Sequence, residues 1–369
     1  MFLKKLSLVN FKNFETFDID LCEKVNCFIG DNGIGKTNIL DSIHYLSFCK
    51  SFINFNDRQN IREGEDFFLL QGDFERLDNL EKISCALQKD KKKSIKKNGA
   101  EYQKLSEHIG FLPVVYTTPY DSNLIHGGSD LRRKFVDSII SQFDKNYLKF
   151  LISYNRILDQ RNQLLKTFYK SNYFSREELE IWDMQLVDYG EKIFQSRKSF
   201  AIETSEIFQK YYNQIADDKE KVSLKYVSHL EDGDFENSLV NAISKDRILG
   251  YTSVGIHKDD FDFRLEGNPI KRYGSQGQQK TYVISLKFAQ FDYIKSKTGL
   301  APILLLDDIF DKLDRNRVRV ITELVSNENF GQIFITDTNY DRMPNILNEL
   351  EIKHKILNLS NNQTFTNYE

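Results

Sequence analysis

Residues Gly30 to Thr37 read GDNGIGKT, and no other stretch of the 369-residue chain restricts its fold so strongly. The pattern satisfies G-x-x-x-x-G-K-[ST], and its flanks are those the motif requires. Val25 to Ile29 is an apolar run of strand length, and Asn38 to Phe48 places Ile39, Leu40, Ile43 and Leu46 at helical spacing. Gly30, Gly33 and Gly35 let the backbone turn tightly and direct its N–H groups at phosphate oxygens beside a helix N-terminus. Asp31, Asn32 and Ile34 complete the loop. Lys36 would reach the β- and γ-phosphates and Thr37 would ligate Mg²⁺, so ATP with Mg²⁺ is the expected ligand. The bland alternative, a glycine-rich turn that only caps a helix, accounts less well for both flanks.

Hydrolysis of a nucleotide needs a second magnesium contact and a group that orients or deprotonates water. Ile303 to Asp308, ILLLDD, offers both some 270 residues beyond the loop. Four apolar residues predict a central strand with carboxylates at its C-terminal end, where open α/β sheets bind ligands. Asp307 would hold Mg²⁺ with Thr37, and Asp308 would act on the attacking water. The same carboxylates could instead cap the following turn.

A further segment, Tyr273 to Lys280, reads YGSQGQQK and opens a predicted helix over about Gly277 to Lys297, with Gly299 as its C-cap. Ser275 and Gly277 offer a hydroxyl and unhindered N–H groups at that helix start, a second anion-binding feature to which Gln278 also belongs. One nucleotide cannot easily use both features of one copy. A head-to-tail pair, with ATP between the loop of one copy and the Ser275 helix of the other, is the expectation, and an ordinary capped helix is its alternative.

Around these motifs the chain alternates in character. Strand-like runs precede the loop at Leu6, Leu8 and at Phe17, Ile19 and Leu21, and return from Phe67 to Tyr116 with an Asn98-Gly99 turn signal, which predicts a β-rich subdomain. From about Leu131 to Ile215 there is no proline, and apolar residues such as Leu148, Leu151, Tyr154 and Leu158 predict two or three long helices. Strand and loop character is expected beyond Asp232, then the Ser275 helix, then two buried strands, Ile303 to Leu306 and Ile333 to Thr336, with a helix between them. The reading is an α/β protein with a mainly parallel sheet, divided as 1–117, a helical lobe over 118–235, and 236–369. Hydrophobic residues at 40% and charged residues at 28% exclude a disordered or fibrous chain. The net charge of -3 gives no global attraction to polyanions, so any nucleic-acid contact needs local patches. Cys22, Cys27, Cys49 and Cys85 form no C-x-x-C pair and read as small core residues. No run of about 18 apolar residues and no leader-like N-terminus is seen, so a cytoplasmic protein without membrane contact is expected.

The chain resembles the RecF family, short-armed relatives of the SMC and ABC-type ATPases. NFKNF at Asn10 to Phe14 is similar to the family's N-terminal motif. PYDSNLIHGGSDLRRKFVD (Pro119 to Asp137), YNRILDQRNQLLK (Tyr154 to Lys166), WDMQL (Trp182 to Leu186) and GIHKDDF (Gly255 to Phe261) follow its pattern, and SQGQQK and LLDDIFDKLD come in the expected order. The resemblance implies an ABC-type, SMC-like P-loop ATPase head with a β-rich subdomain and a helical insertion lobe. It assigns the signature serine to Ser275, the Walker B pair to Asp307 and Asp308, and the D-loop aspartate to Asp314. Asp311 stands where serine is common, and no switch histidine lies near Thr336.

The resemblance further implies a slow, DNA-dependent ATPase that dimerises on ATP, clamps double-stranded DNA near single-stranded DNA, and works with RecR- and RecO-like partners. Recombinase loading, replication restart and the SOS response are the implied settings. Lys89, Lys91, Lys92, Lys93, Lys96 and Lys97 around the Asn98-Gly99 hairpin, and Arg132, Arg133, Arg156 and Arg161 in the helical insert, are the candidate phosphate contacts. A lysine run is also a common solvated surface. His257, Asp259 and Asp260 read as packing or interface residues rather than a metal site. Transporter ATPases share the loop but carry a signature nearer LSGGQ, nuclease-bearing relatives need a domain larger than the 55 residues after Asp314, and a clamp that binds ATP without hydrolysis stays open.

Overall fold

A computed structural model describes all residues except 55, 217–219, 232, 311–314, 360–366 and 369. They form two compact units, one of Met1–Asp121, Asn213–Asp218 and Val283–Glu369, the other of Ser122–Tyr212 and Lys219–Tyr282. Among the described residues no helix is long and apolar enough to cross a membrane.

The first unit opens with strands β1 (Phe2–Phe11), β2 (Phe14–Asp20) and β3 (Val25–Ile29), helix α1 (Lys36–Phe48), then β4 (Phe67–Arg76), β5 (Asn79–Gln88), β6 (Ser94–Lys97), β7 (Ala100–Glu101), the short helix α2 (Leu105–His108) and β8 (Val114–Thr117). Strands β1, β2 and β4 to β7 make an antiparallel sheet in the order β2-β1-β4-β5-β6-β7. Leu6 and Leu8 of β1 and Phe68 and Leu70 of β4 are fully buried, as period-two alternation demands of a sheet with one covered face. The β6–β7 turn is Asn98-Gly99, with φ of 50° and 85°, the left-handed pair a two-residue hairpin requires. Helix α1 packs on β4 and β5 of this sheet and also on β8 and one further parallel strand described below. Eleven of its thirteen residues are buried, which is why its apolar spacing carries no solvent-facing stripe.

The second unit holds α3 (Asn123–His126), α4 (Ser129–Ile140), α5 (Lys145–Ser171), α6 (Arg176–Ala216), β9 (Val222–Val227), α7 (Phe235–Leu249), β10 (Asp260–Leu265), β11 (Asn268–Pro269) and α8 (Ile270–Tyr273). Strands order β11-β10-β9, all antiparallel. Asp144 caps α5 by accepting from the N–H groups of Asn146 and Tyr147 at 2.8 and 2.9 Å. Helix α7 corrects the strand and loop character expected beyond Asp232. Its ends are legible, since Asp234 accepts from Asn237 N–H at 3.0 Å and Gly250 closes it at φ 68°. Its buried face runs Phe235, Leu239, Ala242 and Asp246, and the charged last member interrupts the apolar period.

Asp246 is buried because Arg161 is. The Arg161 guanidinium, wholly buried, donates to Asp183 at 2.5 Å, Asp246 at 2.7 Å and Thr252 Oγ1 at 2.9 Å. Arg197 repeats the device, reaching Asp137 at 3.0 Å, Asp259 at 3.3 Å and the Ile256 carbonyl at 2.8 Å. Arg161 ties α5 to α6 and α7, and Arg197 ties α6 to α4 and to the approach to β10, through charge.

Helix α9 (Gln276–Thr298) ends at Gly299, with φ 70°, and leads to the closing elements of the first unit. These are β12 (Ile303–Leu306), α10 (Arg315–Ser326), β13 (Ile333–Asp337), α11 (Arg342–Glu349), β14 (His354–Asn358) and β15 (Asn367–Tyr368). The second six-stranded sheet orders β15-β14-β3-β13-β12-β8 and is parallel except at β15. Every residue of β3, β12 and β13 is buried, so these strands are covered on both faces. The sheet is the parallel layer expected from alternating strands and helices. Cys27, Cys49 and Cys85 are buried and Cys22 half-buried, all as free thiols.

Arg161→Met removes the cation from two buried carboxylates and is expected to cost about 3–5 kcal/mol in urea unfolding. Arg156→Ala, at an exposed position of the same helix, should stay within about 0.5 kcal/mol; equal losses would refute this account.

Candidate nucleotide-binding site

The loop Gly30–Gly35 joins the end of β3 to the start of α1, and its backbone explains its glycines. Gly33 has φ 84° and Gly35 φ 115°, conformations that side chains rarely adopt. At Gly35 a Cβ would lie 2.6 Å from Asn13 Nδ2 and 2.8 Å from Phe14 Cζ. Gly35 is also the N-cap of α1 and makes no side-chain cap, which leaves the first-turn N–H groups directed into the loop.

The N-terminal motif NFKNF is the support beneath the loop. Asn13 Nδ2 donates to the Ile34 carbonyl at 2.9 Å, and Asn38 Nδ2 donates to Asn13 Oδ1 at 2.7 Å. Lys12 pairs with the buried Asp41 at 2.5 Å, and Asp41 also accepts from Ser51 Oγ at 2.7 Å and Phe52 N–H at 2.8 Å. Burial lowers the Lys12 ammonium pKa against the opposing pull of Asp41.

Lys36 is buried and folds back over the loop, donating to the Gly30 carbonyl at 2.7 Å and the Asp31 carbonyl at 3.0 Å. Thr37 Oγ1 donates to Asp307 Oδ1 at 3.0 Å. Two hard oxygen donors at that separation fit one edge of a Mg²⁺ octahedron, whose oxygens sit about 2.1 Å from the metal. Asp307 follows β12 and is buried, and burial pushes its carboxyl up to about 6. The Thr336 and Thr37 hydroxyls oppose that shift and the Asp308 charge adds to it. Asp308 is half-buried with φ 44°, and its N–H donates to Thr336 Oγ1 at 2.9 Å.

Thr336 was not among the sequence candidates. Its hydroxyl also donates to Asp307 Oδ1, at 2.8 Å. Just beyond it, Asp337 accepts from Arg342 at 2.5 and 2.8 Å and from Asn339 N–H at 2.9 Å, while its carbonyl accepts from Gly30 N–H. No local sequence pattern marks Thr336; sheet order, which sets β13 between β3 and β12, brings it to Asp307.

Ser275, Gly277 and Gln278 lie in the second unit, at the start of α9. Ser275 Oγ accepts from Gln278 N–H at 3.2 Å and Gln278 Oε1 accepts from Ser275 N–H at 2.8 Å, a reciprocal capping box. The Gln278 amide also donates to Glu220 at 2.5 Å. The Ser275 hydroxyl keeps its proton for another acceptor. Asp311 and Asp314 lie outside the described residues.

The basic candidates separate by burial. Arg161 is sealed in the core of its unit and cannot meet a phosphate, which removes it from the expected set. Arg132 is held by Asp260 at 2.7 and 2.8 Å, and Arg133 donates to the Asp259 carbonyl at 2.6 Å. Lys93 pairs with Asp57 at 2.5 Å, Lys97 with Glu81 at 3.1 Å and Lys89 with Asp66 at 2.9 Å. Lys91, Lys92, Lys96 and Arg156 are exposed. His257 bonds Tyr154 Oη at 2.8 Å and the Thr252 carbonyl at 3.0 Å, and burial holds its imidazole near a pKa of about 4.

Gly33→Ala should cost about 1–2 kcal/mol from its left-handed backbone alone. Gly35→Ala should cost more, because Asn13 and Phe14 must also move; urea unfolding of both variants checks the order. In magnesium-free buffer the folded chain binds the Asp307 proton more tightly than the unfolded chain, whose carboxyl titrates near 3.8 against about 6 when folded. Stability should therefore fall as pH rises from about 4 to about 6 in the wild type, and less so in Asp307→Asn. Parallel profiles would refute the buried carboxylate.

The family described as RecF/RecN/SMC N terminal domain matches residues 2–355. A DNA replication and repair protein RecF of Flavobacterium johnsoniae is 48% identical over 97% of this chain and 100% of its own length. The RecF of Phocaeicola vulgatus is 48% identical over 96% of both chains. Among solved structures, a recombination mediator protein RecF-ATPrS in the RecFOR pathway superposes with a TM-score of 0.89 at 29% identity, covering 100% of this chain and 98% of its own. An Smc head domain from Pyrococcus furiosus, with a TM-score of 0.59 and 17% identity over 100% and 96% of the two chains, shares the fold alone. With a family match over nearly its full length and relatives at 48% identity, the chain belongs to the RecF family of DNA replication and repair proteins.

Proposed function

We propose that this chain is a slow, DNA-dependent ATPase whose ATP-bound homodimer clamps duplex DNA beside single-stranded DNA and assists recombinase loading. The observation that carries the reading is the Thr37–Asp307 contact at 3.0 Å, beside a loop lysine resting on its own backbone carbonyls. Lys36 would exchange those carbonyls for phosphate oxygens, a small movement of a side chain already in place. Thr37 and Asp307 would hold Mg²⁺, which supplies charge neutralisation on the phosphates. Gly30 to Gly35 would receive the phosphates on main-chain N–H groups, and Asp308 would orient the attacking water. Ser275, Gly277 and Gln278 of a second copy would complete the site through the capped start of α9, and Asp314 would follow the family's D-loop role.

Relatives described as RecF-ATPrS and RecF-ATP of the RecFOR pathway support ATP as ligand and RecR- and RecO-like proteins as partners. The exposed Lys91, Lys92, Lys96 and Arg156 supply candidate phosphate contacts, which makes binding salt-sensitive. Turnover is slow because the site is complete only in the dimer.

Sedimentation with Mg²⁺ and no nucleotide, ADP or ATP, each with and without a gapped duplex, tests this. The expected outcome is a dimer with ATP alone among nucleotides, tightened by DNA, and trapped by Asp308→Asn. A monomer under every condition, or an ATPase rate per protomer independent of concentration, would overturn the composite site.

A further inference from the structure

Thr336 is the next-to-last residue of β13, and its side chain is completely buried. A hydroxyl has one proton and two lone pairs. Here the proton goes to Asp307 Oδ1 at 2.8 Å and a lone pair takes the Asp308 N–H at 2.9 Å. One hydroxyl thus restrains both members of the acidic pair by different handles, a carboxylate in one case and the main chain in the other. The second handle matters because Asp308 has φ 44°, a left-handed conformation that non-glycine residues seldom keep without support. The direction of the backbone at that turn sets the direction of the Asp308 side chain.

The strand end that carries Thr336 is itself fixed. Asp337 is buried under the two-pronged grip of Arg342, whose third contact is the Phe310 carbonyl at 3.2 Å, two residues beyond Asp308. The Asp337 carbonyl accepts the Gly30 N–H at 3.3 Å. The hydroxyl therefore stands on a strand tied both to the start of the phosphate loop and to the chain after the acidic pair.

We propose that Thr336 is a positioning residue for ATP hydrolysis, holding Asp307 toward the metal and aiming Asp308 at the attacking water. The proposal rests on the ATPase reading above. It needs no contact between Thr336 and nucleotide. Loss of the hydroxyl should lower turnover while leaving nucleotide affinity nearly unchanged, because the loop N–H groups and Lys36 are untouched.

The test compares wild type, Thr336→Val, Thr336→Ser and Asp307→Asn for ATP hydrolysis, for affinity of a fluorescent ATP analogue, and for thermal midpoint. Thr336→Val should lower kcat about 10- to 100-fold, as removal of a partner behind a metal ligand typically does, with affinity within about 3-fold. Thr336→Ser, which restores the hydroxyl, should recover most of the rate. Should Thr336→Val fail to fold, Thr336→Ala serves in its place, since it removes the hydroxyl without pressing a methyl on the carboxylate. A wild-type kcat in Thr336→Val or Thr336→Ala, with Asp307→Asn inactive, would overturn the role of Thr336 alone. So would a Thr336→Ser variant that folds and is as slow as the variant without the hydroxyl. Wild-type hydrolysis by Asp307→Asn would instead overturn the ATPase reading beneath it.

Discussion

A parallel sheet covered on both faces can meet solvent only at its strand ends, and that constraint arranges everything else in the first unit. Strands β3, β12 and β13 have no exposed residue, so their sequence is spent on burial and their chemistry is deferred to the residues that follow them. Gly30 follows β3, Asp307 follows β12, and Thr336 and Asp337 end β13. In-register parallel pairing, Asp337 beside Ile29 and Leu306 beside Ile335, brings these ends into one row. The hydrogen bonds among Thr37, Asp307 and Thr336 are the consequence of that row, not of any local sequence feature.

That distinction sets what could be read from the sequence. The loop, its strand and its helix were legible because the motif is contiguous and its glycines answer to backbone angles that leave few alternatives. The Asn98-Gly99 turn and the long proline-free helices were legible for the same reason. Helix α7 was not, because its buried face ends in Asp246, whose partner Arg161 is 85 residues away in sequence. Thr336 was overlooked because an ordinary threonine in a β-branched strand carries no signal until sheet order places it beside Asp307. The support that NFKNF gives the loop was visible only as a resemblance, since Asn13 and Ile34 meet through tertiary packing.

The two helix starts are capped differently. Helix α1 starts from a glycine with no side-chain cap, which leaves its N–H groups for an outside acceptor. Helix α9 starts from a reciprocal serine and glutamine pair that satisfies its own end while retaining a hydroxyl proton. The first is left open to an outside acceptor, and the second is a helix end that is already satisfied.

The buried guanidinium groups of the second unit have a consequence for how such a chain can change over generations. Arg161 is shared among Asp183, Asp246 and Thr252, and Arg197 among Asp137, Asp259 and a main-chain carbonyl. Replacing one member leaves the others with fewer partners and little solvent, so a single exchange is expected to cost stability. Joint replacement of the charges is expected to be tolerated better than a single exchange. A lineage that alters one of these positions should therefore carry a compensating change at another in the same sequence.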